Sequence, residues 1–189
     1  MKKYKSCRSA VLIAVAALLF ISLKASAQEY VAGAKPLPGK APGVKVKLIS
    51  QNGATRTYMM VFAPGDEIMS GLTDFAVKYK VKSAHFIAIG DVTSAKIGWF
   101  DRSKKLFKVN SINEQCEITS MIGDVALYNG KPIVHAHINL AAQDGTVRGG
   151  HLLEGLIAPT LEVTMTVEPG RLYKKIDSAS GLVLIDPEL

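Results

Sequence analysis

Beyond Lys82 the chain is a succession of short apolar runs separated by turn residues, a rhythm that suits a sheet and little else. Runs at residues 84–89, 95–100, 106–109, 116–122 and 125–128 are each of strand length, with Gly90, residues 101–103, Gly123 and Asn129-Gly130 punctuating them. Further runs follow at 133–141, 146–153, 161–167, 171–176 and 182–185. Upstream, Val44, Val46 and Leu48 alternate with Lys45 and Lys47. Asn52-Gly53 then separates this run from residues 57–62, which predicts a β-hairpin. Only one segment breaks the two-residue period. After Pro64-Gly65-Asp66, which offers Asp66 as an N-cap, Ile68, Leu72, Phe75, Ala76 and Tyr79 recur at helical spacing. The expected class is α+β: an antiparallel-rich sheet with one main amphipathic helix.

The chain of 189 residues divides into three stretches. Residues 1–27 read as a signal peptide. Lys2, Lys3, Lys5 and Arg8 precede an apolar run over residues 10–23, and Ala25-Ser26-Ala27 supplies the small residues of a cleavage site. A spanning helix needs roughly 20 apolar residues, and this run has 14 before Lys24, so no stable membrane anchor is expected after cleavage. The expected destination is periplasmic or secreted. Residues 28–54 form a Pro/Gly-rich arm and a first strand, and residues 55–185 the domain proper.

Charge follows the same division. The formal net charge is +7, but Lys2, Lys3, Lys5, Arg8 and Lys24 belong to the signal; 18 of the 23 basic residues then face all 16 acidic ones, leaving +2. A generic phosphate-binding surface is not indicated, and nucleic acid is not an expected partner. Cys7 lies in the signal and leaves Cys116 without an intramolecular partner, so the fold must stand on its core.

Three of the four histidines crowd together, as His135-Ala136-His137 on one expected strand and Gly149-Gly150-His151 on the next. Residues two apart on a strand face the same side, so His135 and His137 aim at one point. Register decides whether His151 joins them. A two-residue turn at Asp144-Gly145 would place His151 opposite Ile138, on the wrong face. A three-residue loop, Gln143-Asp144-Gly145 with Gly145 left-handed, would place it opposite His137. A bulge at Gly149-Gly150 would have a similar effect. The cluster is then either a set of partly buried strand histidines or a three-histidine site for a divalent metal, zinc first, with an open coordination position. His85, alone in an apolar strand, is expected to be packed and hydrogen-bonded.

The order Arg56-Thr57-Tyr58, Pro64-Gly65-Asp66-Glu67, Ala88-Ile89-Gly90, residues 117–123 (Glu-Ile-Thr-Ser-Met-Ile-Gly), His135-Ala136-His137 and Gly149-Gly150-His151-Leu152 resembles the PPC (plants and prokaryotes conserved) domain, also called DUF296. The resemblance covers roughly residues 55–176 and implies an antiparallel-rich fold assembled as a homotrimer. It also implies, for some prokaryotic members, metal binding through histidines matching His135, His137 and His151. Plant members use a separate basic AT-hook on DNA. This sequence has no Arg-Gly-Arg-Pro hook. The fold so implied is also distantly similar to that of acetolactate decarboxylase, a metal enzyme.

Two functions stay open at this point. A binding protein would hold a metal and a small molecule or anion without turnover. A metal-dependent, lyase-like enzyme would act on a small carbonyl or carboxylate substrate, with Glu117, Glu154, Arg56 or Arg148 assisting.

Overall fold

The computed structural model describes residues 27–188; the expected signal peptide, apart from Ala27, lies outside the described residues. Among the described residues there are ten strands and one helix: β1 (Tyr30–Val31), β2 (Lys45–Asn52), β3 (Thr55–Phe62), α1 (Ile68–Lys78), β4 (Ser83–Asp101), β5 (Leu106–Ile112), β6 (Cys116–Tyr128), β7 (Lys131–Ala141), β8 (Val147–Val167), β9 (Tyr173–Ile176) and β10 (Val183–Asp186). All pairings are antiparallel except a single parallel one, Leu127 on β6 with Tyr173 on β9, which makes the sheet mixed. Among the described residues, no helix is long and apolar enough to cross a membrane.

Two long strands close the sheet on itself. β4 pairs with β6 from Ser83↔Ala126 to Val92↔Cys116, and with β8 from Ala84↔Val167 to Gly98↔His151. β7 pairs with β6 on one side and with the start of β8 on the other, so β4, β6, β7 and β8 form a ring. Where β4 leaves β6 it takes up β5, from Ala95↔Ile112 to Asp101↔Leu106. The far end of β8 is flanked by β3, which carries β2 as the sheet edge.

This architecture corrects the expected strand count. Gly90 and Gly123 were expected as breaks, yet each lies inside a continuous strand. Gly90 sits at register shifts of β4 against β6 and β8, so the strand bends there and changes neighbours without stopping. At Gly123 a Cβ would collide with the Phe86 ring and the His135 carbonyl; the missing side chain lets Phe86 fill the interior. Residues 146–153 and 161–167 likewise belong to one strand, β8, which keeps its hydrogen bonds by passing from β7 to β4 and β3.

In the core, Phe62, Phe86, Met121, Ile138, Leu140, Leu152, Ile157 and Leu161 are buried, with Cys116 free and buried among them. Helix α1 seals one side. Ile68, Leu72, Phe75 and Ala76 face the core, and Phe75 meets Tyr58 edge-on at 5.3 Å. Its N-cap is Glu67, not Asp66. The Asp66 carboxylate already accepts from the Ala63 and Gly43 backbone N–H groups, each at 2.9 Å, which ties the turn to the arm. Glu67 folds back to accept from Met69 N and Ser70 N at 3.0 and 2.6 Å, and from Gly155 N on β8 at 3.2 Å. Burial, offset in part by these bonds, raises its pKa.

The arm is docked along the domain. Tyr30 and Val31 extend the sheet beside Lys108 and Phe107 of β5. Further along, Gly39 N donates to Asp74 at 2.8 Å and Lys40 N to Ser70 Oγ at 2.9 Å, fastening the arm to the first turns of α1.

Candidate metal centre

Two hairpins set the site. Asn129 and Gly130, both left-handed with φ of 50° and 75°, make the two-residue turn between β6 and β7. With Tyr128 opposite Lys131, this turn carries the register on to Asp124↔His135 and Ile122↔His137. Between β7 and β8, Ala142 N donates to Thr146 O at 2.9 Å across Gln143-Asp144-Gly145, and Gly145 is left-handed at φ 80°. Asp144 Oδ1 stiffens the loop by accepting from Thr146 N at 2.9 Å. The resulting register pairs His137 with His151, as the three-residue loop requires. Gly149 and Gly150 stay in register opposite Asn139 and Ile138, so no bulge is needed there.

Strand alternation then sorts the side chains. Val134, Ala136, Ile138 and Leu140 point into the core, while His135, His137 and Asn139 point out. The three imidazoles converge: ring centroids are 5.2 Å apart for His135 and His137, 5.1 Å for His135 and His151, and 5.6 Å for His137 and His151. One nitrogen from each lies within 4.8 Å of the other two, a donor set that fits a single metal ion.

The surroundings of His151 and His137 favour the neutral imidazole, the form that ligates. His151 stacks on Phe107 at 4.3 Å with 15° between the planes. Burial first, and then His135, His137 and Lys174, pull its pKa down to about 4. His137 is also lowered, by burial and by His135. Behind His135, Nδ1 lies 3.3 Å from Asp124 Oδ2, and Asp124 Oδ1 lies 2.7 Å from Lys174 Nζ. Burial raises the Asp124 pKa, but His135 and Lys174 outweigh it and the net shift is downward, so the carboxylate is ionised. A carboxylate behind a ligating histidine is a common outer-shell arrangement at metal sites.

The other sequence candidates make their contacts elsewhere. Arg148 pairs with Glu114 at the mouth of the β7–β8 loop. Glu154 pairs with Lys96 at 3.1 Å and lines a cavity of about 440 Å³ beneath the arm. Arg56 lies over the Tyr58 ring at 5.9 Å, and Glu117 is exposed opposite Asp91 and Ala141, at the far end of β7 from His135. His85 is exposed rather than packed, because it alternates with buried Ala84 and Phe86 on β4; its cross-strand neighbour is Asp124.

Asp124 and Lys174 were missed by sequence reasoning. The signal for Asp124 was present, since a two-residue turn at Asn129-Gly130 places it opposite His135 by counting alone. Lys174 had no such signal.

The closed sheet thus turns three histidines outward from two adjoining hairpins, a group that could hold a metal ion. Residues 49–168 match the Plants and Prokaryotes Conserved (PCC) domain model, and the chain belongs to this family, also written PPC. A PPC protein from Pyrococcus horikoshii is similar at 32% identity, with 72% of this chain and 97% of that one covered and a TM-score of 0.66. A candidate DNA-binding protein from Ralstonia eutropha is 31% identical over 68% of this chain and 90% of its own, with a TM-score of 0.65. A metal-containing protein from Archaeoglobus fulgidus is 27% identical over 75% of this chain and 96% of its own, with a TM-score of 0.64. No curated protein matches the chain.

Proposed function

We propose that this chain is an exported PPC-domain protein that holds one divalent cation, zinc first, on His135, His137 and His151 and uses it to bind a small anionic ligand. The observation that carries the reading is the convergence of three imidazole nitrogens within 4.8 Å, with Asp124 oriented behind His135. The metal-containing relative from Archaeoglobus fulgidus supports it. Three neutral ligands would leave the bound ion positively charged and with an open position for an anionic or carbonyl oxygen. Binding without turnover is favoured over catalysis because His137 is exposed, Glu154, Arg56 and Arg148 make their contacts with other residues, and Glu117 is exposed at the far end of β7.

Assembly belongs to the same reading. Ile87 and Ile122 pair across β4 and β6, and with Ile89 they leave a patch exposed at 61%, 59% and 61% on the face that carries His137. A second copy would cover that patch, consistent with the homotrimer the family resemblance implies. The name of the Ralstonia relative raises a DNA-binding alternative. Against it stands the +2 balance of residues 28–189, reached after five basic residues leave with the signal.

Elemental analysis of the purified protein is expected to give one divalent metal ion, zinc first, per chain, and light scattering three subunits. Replacing any one of the three histidines by alanine is expected to remove the metal. Full metal retention in all three variants would overturn the site, and salt-sensitive binding to duplex DNA at micromolar protein would favour the alternative. N-terminal sequencing of the exported protein is expected to begin at Gln28.

A further inference from the structure

The family match ends at residue 168, yet the line of charges behind His135 draws one residue from beyond it. After Val167 the chain crosses to the end of β6, where Leu127 N donates to Leu172 O at 2.8 Å and Tyr173 sits beside Leu127. This anchor turns the next residue, Lys174, inward. Its side chain is only 2% exposed, and its ammonium lies 2.7 Å from Asp124 Oδ1. A buried lysine is costly unless paired, and a pair so placed immobilises both partners. The β9–β10 hairpin holds the segment down through four residue pairs, from Ile176↔Val183 to Tyr173↔Asp186, and through Lys175 to Asp186 at 3.0 Å.

With Oδ1 ion-paired to Lys174, the other carboxylate oxygen faces His135 Nδ1 at 3.3 Å. An ionised carboxylate only accepts hydrogen bonds, so it favours the neutral imidazole that carries its proton on Nδ1 and leaves Nε2 as the free lone pair. We propose that Lys174, supplied by a strand beyond the residues that match the family model, is a positioning residue for the cluster. It pins Asp124, which holds His135 in the tautomer whose Nε2 is available to a divalent cation. The inference rests on the metal reading for its purpose, but the Lys174–Asp124–His135 line is a property of the metal-free protein and is testable there.

Two measurements test it on the purified protein and its variants. Nitrogen-15 NMR of the metal-free protein is expected to show His135 protonated at Nδ1, and K174M is expected to convert it to a mixture of tautomers. Zinc affinity, read by competition with a chromophoric chelator, is expected to fall about tenfold in both K174M and D124N, the lower end for loss of an outer-shell partner. K174R, which keeps a cationic donor, is expected to restore affinity to within about threefold of the original protein. The double variant K174M/D124N removes both charges together and provides a test should K174M fail to fold. Because Lys174 acts through Asp124, its zinc affinity is expected to equal that of D124N alone. An unchanged tautomer in K174M, zinc binding as tight as or tighter than the original in K174M, or a double variant markedly weaker than D124N would each overturn the proposal. If the unaltered protein binds no zinc, the metal reading fails, and the tautomer measurement still decides the role of Lys174.

Discussion

Strand β7 has two faces with opposite duties. Inward, Val134, Ala136, Ile138 and Leu140 are packed against Met121, Leu152 and the helix side of the core, and Ile138 and Leu140 are almost wholly removed from water. Outward, His135 and His137 alternate with them over the same few residues, half-buried or exposed. The inner face is held by close packing, where each lost methylene leaves a void. The outer face is held by backbone pairing, so its side chains are free to be chosen for chemistry. One strand thus separates the core from the proposed metal site by a two-residue period, and this separation is open to direct attack.

The largest effect is expected from the inner face. Ile138→Ala should destabilise the protein by about 2–5 kcal/mol in denaturant unfolding, as expected for a large-to-small core change. The folded fraction should still bind metal, since neighbouring His137 keeps its register. Metal loss in folded Ile138→Ala protein would show that the two faces are coupled.

The reverse substitution comes next. His137→Ala should weaken zinc binding by at least about 100-fold, or about 2.7 kcal/mol. Unfolding of the metal-free protein should shift by no more than about 0.5 kcal/mol, as for a surface change. A large loss of stability without metal would mean that the imidazoles are structural.

Acidification sharpens the comparison in the metal-free protein. His151 has its pKa lowered from 6.5 to about 4 by burial and its neighbours, so between these values the unfolded chain binds more protons than the folded one. Its contribution to stability is therefore fully present above about pH 6.5 and is lost as pH falls towards 4. Urea midpoints measured across this window should fall with pH, and less steeply in His151→Ala. Equal slopes would remove His151 as the cause.

The smallest effect belongs to the loop that aligns the faces. Gly145→Ala forces a side chain into φ 80° and should cost about 1 kcal/mol, with one metal still bound per chain. A loss of metal at preserved fold would show that the loop, more than strand pairing, holds the register.

The sequence carried the parts of this protein that depend on neighbours in the chain. Strand alternation placed His135 and His137 on one face, and of the loops left open for residues 143–145 the structure has the three-residue one, ending in a left-handed Gly145, which places His151 opposite His137. The same arithmetic at Asn129-Gly130 would have yielded Asp124. These are hairpin properties, determined over a few residues by turn geometry and the two-residue period. The helix was legible too, although its cap was not, because Asp66 was claimed by Gly43 of the arm through a contact that no local rule contains. Tertiary structure alone decided the rest. Gly90 and Gly123 look like breaks until a bend and the Phe86 ring explain them, and β4 and β8 run on because each finds a new partner where the last one ends. Lys174 reaches Asp124 only because β9 docks beside β6, 50 residues further along the chain. Closing a sheet and burying an ion pair depend on which distant surfaces meet, and that is settled by the packing of the whole domain rather than by the spacing of residues within any one strand.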